Sequence, residues 1–190
     1  MIAALIALGV ASTPALSQSQ DAGWIFGAAG GSSKFKDGCP GVLAPGSTCD
    51  DKDVAWKVFA GYQFNNYFGF EFGYADLGEV TQSTAGTTAT FEATGIEMVL
   101  VATIPIDQQF SLFAKWGLFS WELDRTIVGA GAGTTESSGK EITYGFGVKY
   151  NFTRNIALRL EWQRYMDVGD VSTTGISHVD VGLFGIAFKF

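Results

Sequence analysis

Few residues in this chain could do chemistry, and most of them are charged groups set among grease. Lys57, Lys115, Lys149 and Arg159 face Glu71, Glu97 and Glu161 as the candidate set. Each stands in a run where apolar side chains take every second place. On an extended strand, each therefore shares a face with glycines and polar residues, opposite the apolar row. Charges gathered on one enclosed face must pair and hydrogen-bond, because an isolated buried charge is strongly unfavourable. The chemistry this spacing supports is a cross-strand ion-pair network rather than turnover.

A second constellation, Ser177, His178 and Asp180, has the residue types of acyl transfer, which needs a general base beside a nucleophile. Adjacent residues on a strand point to opposite faces, which separates Ser177 from His178, so a polar strand-end role is expected and no enzyme is. Cys39 and Cys49 lie in one Gly/Pro/Asp-rich segment, where an intraloop disulfide is the natural reading. Closing that loop would restrict the unfolded chain by roughly 3 kcal/mol in the entropy picture. Gly129 to Gly133 lacks the strand-to-helix context and lysine of a phosphate cradle and reads as a flexible tip. Asn151-Phe152-Thr153 is a glycosylation sequon in spelling only. Asp50, Asp51, Asp53, Asp76, Glu79, Asp167 and Asp170 fall at loop bases and read as a solvated rim, with weak divalent-cation contact the lesser alternative. No metal site and no cofactor are expected.

Eight extended segments must position these groups, roughly 23–33, 53–64, 67–76, 89–104, 109–123, 141–152, 156–166 and 178–190. Val54, Trp56, Val58, Ala60, Tyr62 and Phe64 form one face of the second, and Phe68, Phe70, Phe72 and Tyr74 one face of the third. Lys57, Phe59, Gly61 and Gln63, then Gly69, Glu71 and Gly73, occupy the opposite faces. Helices would need apolar residues at i, i+3 and i+4, which these runs lack. Phe184, Ile186, Phe188 and Phe190 make an apolar stripe on the last segment, which a soluble sheet edge avoids. Short connections at Asn65-Asn66, Ile106 to Gln108 and Thr153 to Asn155 alternate with longer ones at about 34–52, 77–88, 124–140 and 167–177. A soluble ligand-binding barrel would put its apolar row inside. Apolar rows outside and charges inside predict an all-β, eight-stranded antiparallel up-and-down transmembrane β-barrel, with short periplasmic turns, long outer loops and both termini periplasmic. Trp24, Tyr62, Tyr67, Tyr150 and Trp162 are candidates for interfacial girdles, and Trp121, on the inner face, for packing.

The bulk numbers agree. The chain has 190 residues, which suits one domain, with 25 Gly, 16 Phe and only 16% charged residues. A net charge of -7 argues against nucleic acid or anionic phospholipid as an electrostatically driven partner. Ile2 to Val10 is apolar but too short to cross a bilayer as a helix. Ala15-Leu16-Ser17 follows, so residues 1–17 are expected to be a signal peptide and 18–190 the barrel.

Gly61-Tyr62-Gln63-Phe64-Asn65 followed by Gly69-Phe70-Glu71-Phe72-Gly73-Tyr74 resembles the second hairpin of the OmpA-type eight-stranded transmembrane domain. Ile104-Pro105-Ile106 and Lys115-Trp116-Gly117 resemble its middle strands. Gly147-Val148-Lys149-Tyr150 and Ile156 to Gln163 resemble its sixth and seventh. The resemblance implies a small outer-membrane barrel with a plugged, charged lumen. Glu71, Lys115, Arg159 and Glu161 match the family's charged positions, whereas Lys149 stands where it carries an acid and Val101 where it carries a lysine. The family's periplasmic peptidoglycan-binding domain is not expected here, nor is cell-wall anchoring.

The functional expectation is a structural or surface role in the Gram-negative outer membrane, with the lumen closed by the charged network. The alternatives are a narrow channel for small solutes and an adhesin or immune-evasion protein acting through its loops. The expected partners are outer-membrane lipid, lipopolysaccharide, and the barrel-assembly machinery through the C-terminal strand, for a monomer. An arginine at lipid-facing Leu160 is expected to be costly, and Gln163→Ala much milder.

Overall fold

The structure is a computed structural model describing residues 22–39, 46–170 and 175–190; the expected signal peptide and cleavage site lie outside the described residues. Strands run β1 Gly23–Phe35, β2 Thr48–Asp50, β3 Lys52–Gln63, β4 Phe68–Thr84, β5 Thr87–Pro105, β6 Phe110–Val128, β7 Gly133–Asn151, β8 Ile156–Asp170 and β9 Gly175–Lys189. β2 is a short lead-in to β3 that pairs with the far end of β4. The other eight form a ring of antiparallel neighbours, closed by β1 on β9 with Phe26 opposite Phe188 and Gly30 opposite Phe184. Within the ring, closure leaves no free edge, so backbone groups there find partners without water, whereas β7 pairs with β8 only from Thr143 to Asn151 and its far part, 133–142, with β6 alone. The architecture is the one expected from the sequence.

At one end the strands are joined by three tight turns built alike. Asn65 Oδ1 accepts from the N–H of Tyr67 and of Phe68 at 2.8 and 2.9 Å. Asp107 Oδ1 accepts from Gln109 and Phe110, both at 2.7 Å. Thr153 Oγ1 accepts from Asn155 and Ile156 at 3.2 and 3.0 Å. Short polar side chains mimic a backbone turn in this way. The N–H groups of Phe110 and Gln109 also hold the exposed Asp107 carboxyl below the usual aspartate range.

At the other end, the long loops expected at 77–88 and 124–140 are mostly strand. β4 and β5 pair out to Thr84 opposite Thr87, leaving Ala85-Gly86 as a two-residue turn with φ of 47° and 83°. Positive φ at both positions is the type I′ geometry that matches strand twist. β6 and β7 pair out to Ile127 opposite Gly133, so Gly129 to Ala132 form the tip. The connection expected at 167–177 shrinks to 171–174, outside the described residues. The first connection stays long and carries the Cys39–Cys49 disulfide, with Cα atoms 5.9 Å apart. Gln82 Nε2 donates to Gly38 O at 2.6 Å and ties that segment to β4.

Two bulges set which residues face inward above the tight-turn half. On β4, Leu77 and Gly78 together oppose Ala93, Gly78 taking a φ of 76°. The extra residue leaves Glu79 outside and puts Val80 inside. On β8, Met166 and Asp167 together oppose His178, which turns Val168 inward and leaves Asp167 half-buried. A one-residue insertion exchanges the faces of everything beyond it, so each bulge spares the interior a carboxylate.

Candidate functional site

The lumen of the tight-turn half is filled by charge. Lys57, Glu71, Glu97, Lys115, Arg159 and Glu161 are all buried, projecting from β3, β4, β5, β6 and β8. Arg159 donates from Nη1 to Glu71 at 2.6 Å and from Nη2 to Glu161 at 3.1 Å. Lys115 Nζ lies 2.8 Å from Glu71 and 3.2 Å from Glu161. Lys57 Nζ pairs with Glu161 and reaches Glu97 at 3.3 Å. Three cations and three carboxylates thus balance, which burial of so many charges demands. Six of the seven sequence candidates come together; Lys149, on β7, stands apart from these ion pairs.

Neutral groups complete the network. Gln163 bridges it, accepting from Lys57 at 2.7 Å and donating to Glu97 at 2.7 Å and to Thr143 Oγ1 at 2.8 Å. Tyr165 donates to Glu97 at 2.8 Å. Stripping Gln163 takes one hydrogen bond each from buried Lys57, Glu97 and Thr143, each of which keeps another partner, at about 0.5–1.5 kcal/mol per bond. The expectation that Gln163→Ala is mild is therefore revised upward, a result that urea titration of the folded variant would check. Sequence reading placed Gln163 on the inner face but could not see its partners, because Lys57 lies on a distant strand.

Aromatic rings finish the packing. The Arg159 guanidinium sits between Phe59 and Phe113, 4.7 and 4.5 Å from the ring centroids. A planar cation stacks on ring faces and loses little hydration there. Glycine makes the room: a Cβ at Gly27 would meet the Phe59 ring, and one at Gly147 the Phe113 ring.

Above this layer the lumen changes character. Phe35, Leu77, Val80, Phe119, Trp121, Leu123, Val168, Val179 and Val181 pack into one apolar cluster roofing the charges. Trp121 is 3% exposed and packs there, as expected. Outside, Trp24, Tyr62, Tyr67 and Phe110 mark a belt near the tight turns, while Trp56, Tyr74 and Trp162 lie higher on the wall. Trp24 packs on Tyr62 at 5.2 Å, and Trp162 on Tyr144 at 6.0 Å.

The remaining candidates have structural partners. Asp180 accepts from Arg164 at 2.5 and 2.8 Å and pairs with Lys36 at 3.1 Å. His178 Nδ1 accepts from the Asp167 N–H at 3.2 Å, and Ser177 Oγ from the Asp37 N–H at 3.1 Å. The three residues answer to three different neighbours and form no relay. Rim carboxylates hold backbone: Asp53 accepts from Val54 and Glu79, and Asp76 from Gly78 and the Trp56 indole. Among the described residues, no group of three or more His, Cys, Asp or Glu could hold a metal ion.

An apolar outer wall, closed ladders and an ionic interior define a transmembrane β-barrel of the outer-membrane kind. The chain belongs to the OmpA-like transmembrane domain family, which it matches over residues 19–190. Outer membrane protein A of Salmonella typhi is 30% identical over 193 residues, covering 100% of this chain and 54% of that protein. Its counterpart in Shigella flexneri is 28% identical over 193 residues, covering 100% and 55%. The chain therefore spans about half the length of these curated relatives. Neisserial surface protein A superposes with a TM-score of 0.66 at 16% identity, covering 90% of this chain and 100% of that one. Ail of Yersinia pestis, solved with the heparin analogue sucrose octasulfate, gives 0.54 at 15% identity, covering 89% and 97%. At those identities the likeness is one of fold.

Proposed function

We propose that this chain serves the Gram-negative envelope as a structural, surface-displaying barrel whose lumen is shut. The observation that carries the reading is the double closure: a balanced ionic layer beneath an apolar roof. An eight-stranded barrel is only just wide enough for its own side chains, and here side chains of both layers reach across it. Planar-bilayer recording of the refolded protein should find no steady nanosiemens channel; a steady open level would favour the narrow-channel reading instead. The same preparation should migrate anomalously in SDS until boiled, as a closed barrel does.

In this reading the tight turns and both termini face the periplasm, and the β4–β5 and β6–β7 hairpins rise outside the cell. Protease added to intact cells should cut at those hairpin tips and spare the turns at 65–66, 106–109 and 153–155. The outward row Phe184, Ile186, Phe188 and Phe190 supports recognition of the last strand by the barrel-assembly machinery. The unbroken apolar belt supports a monomer in outer-membrane lipid, with lipopolysaccharide against the rim. The height of the hairpins favours a second reading, in which they make contacts beyond the cell. Barrels with exchanged tips that keep the cell-surface phenotype would exclude it.

A further inference from the structure

Lys149 is a lumen cation outside the ion-pair network. The lumen network is balanced without it, three cations against three carboxylates, and Glu71, the acid nearest its influence, is already shared by Arg159 and Lys115. In the ladder it lies directly opposite Arg159 on the same inner face, a like-charge pairing that destabilises a sheet. Arg159 brings a second unmet demand. Both terminal nitrogens are engaged by Glu71 and Glu161, but its buried Nε has no hydrogen-bond partner. Both residues line one cavity of about 60 Å³ that reaches the turn at Thr153 to Asn155. Gln63, Thr103 and Asn151 line it as well and supply neutral polar groups. A water needs at least ~10–15 Å³, so the space holds about four waters or one phosphate-sized ion.

We propose that the tight-turn mouth of the lumen is a binding site for a small oxyanion, held by the Lys149 ammonium and the Arg159 Nε–H. A bound oxyanion answers both demands at once: it separates two facing cations and accepts the buried donor. The inner wall around it carries Ile25, Phe113 and Ala187, which keep bulk water thin and strengthen the attraction. The site is independent of whether the barrel conducts.

The test uses the full barrel refolded in alkyl maltoside, which carries no phosphate, with lysine labelled at Cε. Sodium phosphate is titrated in, against sodium chloride at matched ionic strength. A saturable shift of the Lys149 signal, with the Lys57 and Lys115 signals still, is expected. Phosphate affinity read by isothermal titration calorimetry, which needs no Lys149 signal, should fall by about tenfold or more in Lys149→Met, the loss of one charge-assisted contact, and return in Lys149→Arg. If Lys149→Met does not reach the heat-modifiable state, the wild-type titration alone decides. Anionic phospholipid added to phosphate-free micelles separates the sources: a shift only then assigns the oxyanion to a headgroup, and a shift with inorganic phosphate alone assigns it to a free ion. No saturable shift with either, or an unchanged affinity in Lys149→Met, overturns the site.

Discussion

One strand, β6, crosses two different proteins in effect. Near the tight turns its outer row is Phe110, Leu112, Trp116 and Leu118, and its inner row carries Lys115. Higher up the outer row becomes Ser120, Glu122, Asp124 and Thr126, while the inner row becomes Phe119, Trp121 and Leu123. The alternation never slips, yet the chemistry of the two faces is exchanged. β5 makes the same change, from Met98 and Ile96 outside to Thr94 and Glu92, with Glu97 inside giving way to Ala93 and Phe91. Parity is set by the pleat, but what each face prefers is set by the medium outside it. Against hydrocarbon, polar groups go inward and must neutralise each other; against water, the ordinary rule of a soluble barrel returns.

The contrast can be broken most sharply from the ionic side. Glu161→Gln removes the carboxylate that meets Lys57, Lys115 and Arg159, and should cost roughly 3–5 kcal/mol in urea titration of vesicle-embedded barrel. A similar loss from Glu122→Gln, on the water-facing wall, would refute the distinction. Next comes the wall itself. Leu160→Arg, 61% exposed on the lipid side, should lose about 2–4 kcal/mol, whereas Thr126→Arg should stay within about 0.5 kcal/mol. In the apolar roof, Leu123→Ala should cost about 2 kcal/mol, near the low end for such a deletion because its place is close to the open rim.

The smallest expected effect sharpens the picture at the turns. Asp107 has a carboxyl held low in the folded state, so its charge contributes stability above its unfolded value, about pH 3.9, and loses it as the pH falls through the lower folded value. Asp107→Asn keeps the turn's acceptor oxygen but not the charge. Its stability deficit should be constant from neutral pH to about pH 4 and vanish below that, read from unfolding midpoints across the series.

The lipid-belt half was legible in the sequence because both of its faces announce themselves. Phe68, Phe70, Phe72 and Tyr74 against Gly69, Glu71 and Gly73 permit one reading. The extensions 77–84, 124–128 and 133–140 resemble loop in sequence because water-facing strands dilute their outer row with Ser, Thr, Gly and acids, and two bulges break the count. A signal was present in Trp121 and Leu123 alternating with Glu122 and Asp124, the reverse polarity of the same strand below. Which charges enter the lumen followed from parity. Which partner each one takes did not, since Lys57 meets Gln163 across the ring and that depends on strand stagger.

The closing pair β1–β9 has a mechanical consequence. In a sheet with no beginning, each strand is gripped from both sides, so cutting the chain at a single hairpin tip removes no neighbour from any ladder. A nick at Ala85-Gly86 would leave two fragments clasped as one body, still migrating as the intact ring until heat separates them. Such split halves, made as separate chains, should find each other and reassemble.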